Sequence, residues 1–306
     1  MLHIAFHTDS RYTRFCGVAM VSLMRHNRGE AITFHILGDR LTKADTEALT
    51  ILTENHSQRI CFYPLEKATA QGLAAPLTAD RCRCLLAELL PPSIDRVVCL
   101  DCDVLVLQPL KPLWDTDLKG KALAAVPQYG DTTAHCRRLG YPATDGYFNA
   151  GVLLVNLQYW RLHHVAKACT DLYGREPGRF SLCDSDLLNA VLHDVWTKVP
   201  LKWNVQEDYY RHTPATDTDA GRRRMATLTH PAILHFSGQK PWDYASQHPL
   251  RHLFYDYQQF TPWVGKHPLR CPWQALQRCV SLLPFSLGLR KSPYTTLPAE
   301  GVAGRP

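Results

Sequence analysis

Apolar and polar positions fall along this chain in blocks that predict strands and helices in turn. Leu2 to Phe6 is a short apolar run that stops at Thr8-Asp9-Ser10, and a helical pattern follows from about Phe15 to His26. Ala31 to Leu37 predicts a second strand, Thr42-Lys43-Ala44-Asp45 a capping sequence that opens a helix to about Glu54, and Ile60 to Tyr63 a third strand. Strand, helix, strand, helix, strand in that order predicts parallel pairing. Residues 79–90 predict a helix with Leu85, Leu86, Leu89 and Leu90 on its buried face, ended by Pro91-Pro92. Lys121 to Val126 reads as a strand, and residues 127–146 as a long polar loop of the kind that serves as a lid. A polar turn at Tyr147-Phe148-Asn149 feeds an apolar strand ending at Asn156, and a helix is expected from about Leu157 to Tyr173. Another helix opens at Cys183, with Leu187, Leu188, Val191 and Leu192 on its apolar face and Asp184 and Asp186 in its first turn. Ile233 to Phe236 is a last strand, ending in His235 before a glycine turn and Lys240-Pro241-Trp242.

One stretch breaks its own pattern. Val97 to Leu107 is apolar except for Asp101 and Asp103 in its middle, which reads as a buried strand pausing at a polar end. Side chains alternate along extended chain, so the two aspartates share a face and Cys102 points away. Two ionised carboxylates at the edge of a core call for a cation between them, and a divalent metal is expected. Spacing alone decides nothing, because Asp115/Asp117, Asp184/Asp186 and Asp217/Asp219 repeat it, but only the first copy interrupts an apolar strand. Beside such a pair His235 becomes a third ligand and Lys240 a point charge for phosphate. Asp9 stands where a strand turns into a helix, the place where open α/β sheets meet nucleotides. Asn149 and Gly151 are poor core residues and allow a ligand close to backbone. Arg83 is either a solvated helix charge or part of the site, and Asp184 and Asp186 either serve their helix start or the chemistry.

At 306 residues, 45% hydrophobic and 20% charged, the chain suits one large α/β domain or a domain with an appendage. The net charge of +6 is lopsided: residues 263–306 hold Lys266, Arg270, Arg278, Arg290, Lys291 and Arg305 against Glu300, which supplies +5 of it. There the basic residues interleave with Trp263, Trp273, Leu276, Val280, Leu282, Leu283, Phe285, Leu287 and Leu289. A packed helix would leave the near absence of acids unexplained, and nucleic acid would leave the apolar residues unexplained. Attachment to an anionic membrane surface accounts for both. The expected organisation is therefore a catalytic domain over 1–262, with a nucleotide-sugar half to about 110 and an acceptor half after it, followed by a basic amphipathic tail over 263–306. The first residues lack a basic and then apolar leader pattern, and no window approaches the roughly 18 apolar residues of a membrane span, so a cytoplasmic enzyme held peripherally on the inner face of the membrane is expected. Eleven cysteines without metal-binding or redox spacing read as reduced structural thiols.

Six segments in order resemble glycosyltransferase family 8: His7-Thr8-Asp9, Arg83 with Glu88-Leu89-Leu90-Pro91, Leu100-Asp101-Cys102-Asp103, Phe148-Asn149-Ala150-Gly151, Asp184-Ser185-Asp186-Leu187-Leu188-Asn189, and His235-Phe236-Ser237-Gly238-Gln239-Lys240-Pro241-Trp242. Within that family the chain looks most like bacterial lipopolysaccharide and lipooligosaccharide galactosyl- and glucosyltransferases. The resemblance implies a GT-A fold, an α/β architecture with a Rossmann-like mixed sheet flanked by helices. It implies manganese, with magnesium as the alternative, on Asp101, Asp103 and His235. It implies UDP-hexose held by His7, Thr8, Asp9, Asp101 and Cys102, with Asp9 at the uridine, by Arg83, Asn149, Ala150 and Asp184 around the sugar, and by Gly238 and Lys240 at the diphosphate. The chain departs from the common family pattern in having Ser185 where a glutamine is frequent, a turn after His235 one residue shorter, and His7 and Arg11 beside Asp9.

The expected activity is metal-dependent, retaining transfer of glucose or galactose from a UDP-sugar to an oligosaccharide or lipid-linked core acceptor, with no nucleic acid partner; the sequence does not indicate the oligomeric state. Asp184, Ser185, Lys240 and Arg83 are the residues expected at the reacting centre. A glycogenin-like self-glucosylating transferase, and a protein that only binds or hydrolyses nucleotide sugar, are the alternatives.

Overall fold

The computed structural model describes residues 1–65, 79–181, 183–212, 214, 217–265, 272–287 and 289–298. Its centre is a sheet whose first strand, Leu2–Asp9 (β1), pairs in parallel with Ile32–Asp39 (β2), which pairs in parallel with Arg59–Pro64 (β3). On its other side β1 pairs in parallel with Arg96–Leu100 (β4). β1, β2 and β4 are buried along most of their length because both faces of the sheet are covered, as parallel sheets require, whereas β3 is an edge strand that stays partly exposed. A second, small sheet takes in Val104–Val106 (β5), so the apolar run around the two aspartates crosses from one sheet to the other at Asp101–Asp103. Leu123–Pro127 (β6), Phe148–Asn156 (β7) and Trp196–Lys198 (β8) complete the large sheet in the order β3-β2-β1-β4-β7-β6-β8. β7 runs antiparallel to both β4 and β6, which makes the sheet mixed. Val205–Gln206 (β9) and Ile233–His235 (β10) complete the small sheet, with β10 central and antiparallel to β5. The result is a GT-A-like Rossmann-type architecture. β1 has β2 on one side and β4 on the other, and the crevice at their carboxyl ends is where such sheets bind ligands.

Helix α1, Thr13–His26, is buried along nearly its whole length because it lies between β1, β5 and the helix Arg251–Gln258. Helix α2, Lys43–Glu54, starts with the expected capping box: Asp45 N–H donates to Thr42 Oγ1 at 3.2 Å and Thr42 N–H to Asp45 Oδ2 at 2.9 Å.

Several expected elements are corrected. The helix expected over 79–90 is a 3-10 segment, Ala79–Leu85, followed by one α turn, Leu86–Leu89. Cys82, Arg83, Cys84, Leu85 and Leu86 are all buried, so no amphipathic face exists and the chain tightens to send Arg83 inward. The 127–146 loop contains the helix Thr133–Leu139, and Cys136, Leu139 and Tyr141 anchor it in the core, so it is not a free lid. The helix expected over 157–173 breaks into Leu157–Leu162 and Val165–Arg175 at His164, whose φ is +50°. Nine cysteines are free thiols among the described residues; Cys61 and Cys279 are exposed.

The tail behaves differently at its two ends. The helix Pro272–Ser286 turns Trp273, Leu276, Val280 and Leu283 to solvent, but Tyr294 and Thr295 are buried and Leu297 packs on the same core layer as α1. Thr295 N–H donates to the Tyr210 carbonyl at 2.6 Å. Lys266, Arg270, Glu300 and Arg305 lie outside the described residues.

One buried group makes stability depend on pH. His35 on β2 sits between His3 Nδ1 and Tyr63 Oη, each 3.0 Å from a ring nitrogen, and burial pushes its pKa down to about 4. The unfolded chain takes up this proton near pH 6.5 and the folded one only near 4, so stability should fall with pH across that window, by up to about 1.4 kcal/mol per unit, and level off below it. Urea melts at pH 7 and 4.5 check this, and His35→Phe should reduce the difference, the buried His248 supplying a further part of it.

Candidate active site

The two aspartates do not lie on an extended strand, since β4 ends at Leu100 and β5 begins at Val104. They converge nonetheless. Cys102 turns into the core, its Sγ 3.1 Å from the His7 carbonyl, and the turn brings both carboxylates onto the end of β10. His235 Nε2 lies 3.6 Å from Asp101 Oδ2 and 3.4 Å from Asp103 Oδ1. One ligand atom from each of the three residues falls within a 4.8 Å set.

The polarity of His235 follows from a chain of amides with a fixed starting point. Gly151 N–H, which can only donate, bonds to Asn149 Oδ1 at 3.0 Å. Asn149 therefore presents oxygen there and gives its Nδ2 to Gln128 Oε1 at 2.8 Å. Asn204 Nδ2 donates to that same Asn149 oxygen at 2.8 Å, which turns Asn204 Oδ1 toward His235 Nδ1 at 2.9 Å. The imidazole proton is thus held on Nδ1, and the Nε2 lone pair faces two carboxylates. Such an arrangement is repulsive unless a proton or a cation stands between them, and Asp103 Oδ1 is buried with no hydrogen-bond partner among the described residues. One imidazole nitrogen with two carboxylates suits manganese or magnesium, with the nitrogen favouring manganese.

Gly151 makes the approach possible. A Cβ there would stand 2.2 Å from His235 Cε1 and 2.7 Å from Asp101 Oδ2. Gly151→Ala should therefore displace the imidazole and weaken manganese binding at least about tenfold while the sheet survives, since only the site side of β7 is crowded. Electron paramagnetic titration of manganese checks this; unaltered affinity would remove His235 from the ligand set.

Both carboxylates also have protein cations, which the charge argument from sequence did not foresee. Arg83 is buried, not solvated, and it donates to Asp101, to the Ala150 carbonyl and, through Nε at 3.2 Å, pairs with Asp184. Burial alone would lower its pKa, but Asp184 and Asp101 more than offset that and raise it. Lys240 Nζ lies 2.5 Å from Asp103 Oδ2 and 2.8 Å from the Phe236 carbonyl, so the shortened turn still delivers its ammonium to the cluster. Burial works against the Asp103 charge, yet positive charge at His235 Nε2, a proton or a cation in its place, together with Lys240 holds its pKa well below the usual carboxylate range.

His7, Thr8, Asp9, Asp101, Cys102, Asp103 and Lys240 line one cavity of about 300 Å³ together with Tyr12. Asp9 is already engaged: Oδ1 accepts the N–H groups of Arg11 and Tyr12 at 2.9 Å each, and Oδ2 accepts the Arg11 guanidinium. Burial opposes its charge, and these donors bring its pKa below the ordinary value. His7 is pushed down by burial and by Arg83. Arg83, Ala150 and Asp184 join the cluster through the Arg83 guanidinium, and Asn149 through the amide chain. Ser185 and Gly238 are not among the cavity-lining residues. Gly238 instead packs where a Cβ would meet Glu207 Oε2 at 2.5 Å. Asp186 parts from Asp184 and is fully buried against Arg138 and Tyr147. Sequence reasoning missed Asn204, whose only signal is that it and Gln206 are polar residues alternating with Trp203 and Val205 beside the histidine strand.

A family model described as Glycosyl transferase family 8 matches residues 3–246. The chain is similar to general stress protein A of Bacillus subtilis, with 26% identity over 272 residues, 86% of this chain and 95% of that protein. It is similar to lipopolysaccharide 1,3-galactosyltransferase of Salmonella typhimurium, with 25% identity over 287 residues, 88% of this chain and 83% of that protein. Among solved structures it is similar to galactosyltransferase LgtC in complex with donor and acceptor sugar analogues, with a TM-score of 0.72, 26% identity, and 85% of this chain and 96% of that one covered.

Proposed function

This chain belongs to glycosyl transferase family 8, and from that premise we propose that it moves glucose or galactose from a UDP-sugar to a hydroxyl of a lipopolysaccharide or lipooligosaccharide core, with retention at the anomeric carbon. The observation that carries the reading is the convergence of Asp101, Asp103 and His235, with the two aspartates lining a cavity that Lys240 and Asp9 also line. The similarity to a lipopolysaccharide galactosyltransferase supports the acceptor class.

Asp101, Asp103 and His235 would hold manganese, which supplies positive charge against the departing diphosphate. Lys240 adds an ammonium at the same place. Asp9 takes the uracil through Oδ2, because the Arg11 side chain bound there is almost wholly solvent-exposed and free to leave. Asn149, Ala150 and Arg83 position the hexose. Asp184 is the carboxylate available as a nucleophile, but its pairing with Arg83 lowers its reactivity and suits an orienting role. We therefore favour attack from the face the diphosphate leaves, with a phosphate oxygen accepting the acceptor's proton and Ser185 taking no part in the bond changes. Asp184→Asn should then retain measurable turnover, reduced about a hundredfold, whereas a covalent route requires complete loss and a sugar ester on Asp184 visible by mass spectrometry.

The acceptor is lipid-linked, which gives the exposed stripe on Pro272–Ser286 a role: Trp273, Leu276, Val280 and Leu283 enter the headgroup boundary of the inner leaflet while Arg290 and Lys291 meet anionic lipid. Because Tyr294 and Thr295 return to the core, substitutions in the stripe test this better than truncation. The self-glucosylating alternative needs a tyrosine beside the donor, and Tyr12 lines the cavity, but its ring is packed edge-on against Phe15 and Trp242. Incubation with manganese and a panel of UDP-sugars, with and without core oligosaccharide, tests the proposal. Transfer only when core is present supports it; an increase in the protein's own mass, or hydrolysis unaffected by core, contradicts it.

A further inference from the structure

A second cavity, of about 430 Å³, lies where the helix Arg251–Gln258 meets the helix Pro272–Ser286, and Ser246, His248, Arg251, His252, Asp256 and Arg278 contribute to its wall. It starts where the family match ends, at Ser246. Three of these side chains carry a buried polar atom with no hydrogen-bond partner among the described residues: Ser246 Oγ, His248 Nε2 and Arg251 Nε. Ser246 and His248 are themselves almost completely buried, at 0% and 3% exposed.

All three atoms are donors. Leu250 N–H donates to His248 Nδ1 at 3.2 Å, so the neutral ring keeps its proton on Nε2. Arg251 Nε–H can only donate, and the Ser246 hydroxyl is free to. The charges agree with the hydrogen-bond count. Arg278 is pinned over the cavity by donating to the carbonyls of Tyr244 and Ser246, and Arg251 by donating to Tyr255 Oη at 2.9 Å. Burial and the neighbouring Arg278 both disfavour the Arg251 charge. Two guanidiniums line the space with one carboxylate, Asp256, while Asp243 acts on Arg251 from outside the lining, and the positive end of the helix Arg251–Gln258 opens on the same space. Water would satisfy the donors and leave the guanidiniums uncompensated. A group with several acceptor oxygens and at least one negative charge satisfies both.

We propose that this cavity binds a phosphomonoester, through Ser246, Arg251 and Arg278, and that the phosphate belongs to a phosphorylated saccharide or a lipid headgroup. The cavity holds far more than one phosphate, so the attached group is accommodated as well. Its place beside the helix with the outward apolar stripe puts it at the boundary between the catalytic domain and the tail. The site does not depend on the donor or acceptor proposed above.

Calorimetric titration of the full chain, at fixed ionic strength in manganese-free buffer, with inorganic phosphate and with glucose 6-phosphate tests it. Saturable binding is expected, weakened at least tenfold by Arg251→Gln and by the milder Ser246→Ala, and unchanged by Lys240→Met, which removes the cation of the other anion site. Sedimentation with phosphatidylcholine vesicles containing phosphatidic acid separates the sources. A loss on Arg251→Gln that is absent with phosphatidylglycerol assigns the lipid, and sedimentation indifferent to Arg251→Gln, together with lost glucose 6-phosphate binding, assigns the saccharide. No saturable binding of either phosphate, or binding that survives Arg251→Gln and Ser246→Ala, overturns the proposal. A transferase that works while phosphate fails to bind would refute this site alone.

Discussion

Replacing Asp103 by asparagine should lower kcat/KM for metal-dependent transfer at least about a thousandfold, roughly 4 kcal/mol of transition-state stabilisation. The substitution removes one of two carboxylates that His235 Nε2 faces and the partner of Lys240 Nζ, so the cluster loses both a ligand and the charge that positions the ammonium. The cost to folding should be far smaller. Lys240 keeps some solvent contact, and its bond to the Phe236 carbonyl remains, so about 1–3 kcal/mol of stability is at stake. Paired measurements of urea-induced unfolding and transfer separate the two effects. A variant with normal stability and normal chelator-sensitive activity would remove Asp103 from the site. His235→Ala should behave alike in activity, because Asn204 would be left orienting nothing.

Arg83→Met should be the most destabilising single change near the site, by about 3–5 kcal/mol, because it leaves Asp101 and Asp184 without their shared buried guanidinium and the Ala150 carbonyl without a donor. Asp101 and Asp184 would then share a site with no cation between them, which disturbs the carboxylate that would hold the metal. Arg83→Lys separates structure from function. A point charge can neutralise one aspartate but cannot span two carboxylates and a carbonyl, so Lys should restore part of the stability and little of the activity. The midpoint of urea unfolding and the manganese dissociation constant give both readings. Equal recovery of the two by lysine would mean that Arg83 contributes charge alone and does not position the donor side of the site.

Much of the frame was legible because its signals are local. The capping box at Thr42, the largely apolar runs of the parallel strands and the turn from β1 into α1 each follow from a few neighbouring residues, and the interruption of an apolar run at Asp101 and Asp103 marked the cluster. What misled was context. The leucine pattern at 79–90 suggested an amphipathic helix, but a segment buried on every side needs no amphipathic face, and Arg83 draws it inward across 18 residues to Asp101. The two aspartates were expected to share a strand face, whereas a turn between two sheets brings them together. Asn204 was invisible because its role depends on a hydrogen-bond direction that begins at Gly151 N–H on another strand. The return of Tyr294 to Glu207 was likewise hidden, since a basic, apolar tail carries no local mark of the one tyrosine that packs inward.

Anomeric configuration and metal dependence can be read together in proton NMR spectra of the product from an α-linked UDP-hexose, core oligosaccharide and manganese. The proposed retaining transfer predicts an α-linked hexose on the core, and none after treatment with a chelator. A β-linked product, or transfer that the chelator leaves undiminished, would contradict retaining transfer at a metal held by Asp101, Asp103 and His235.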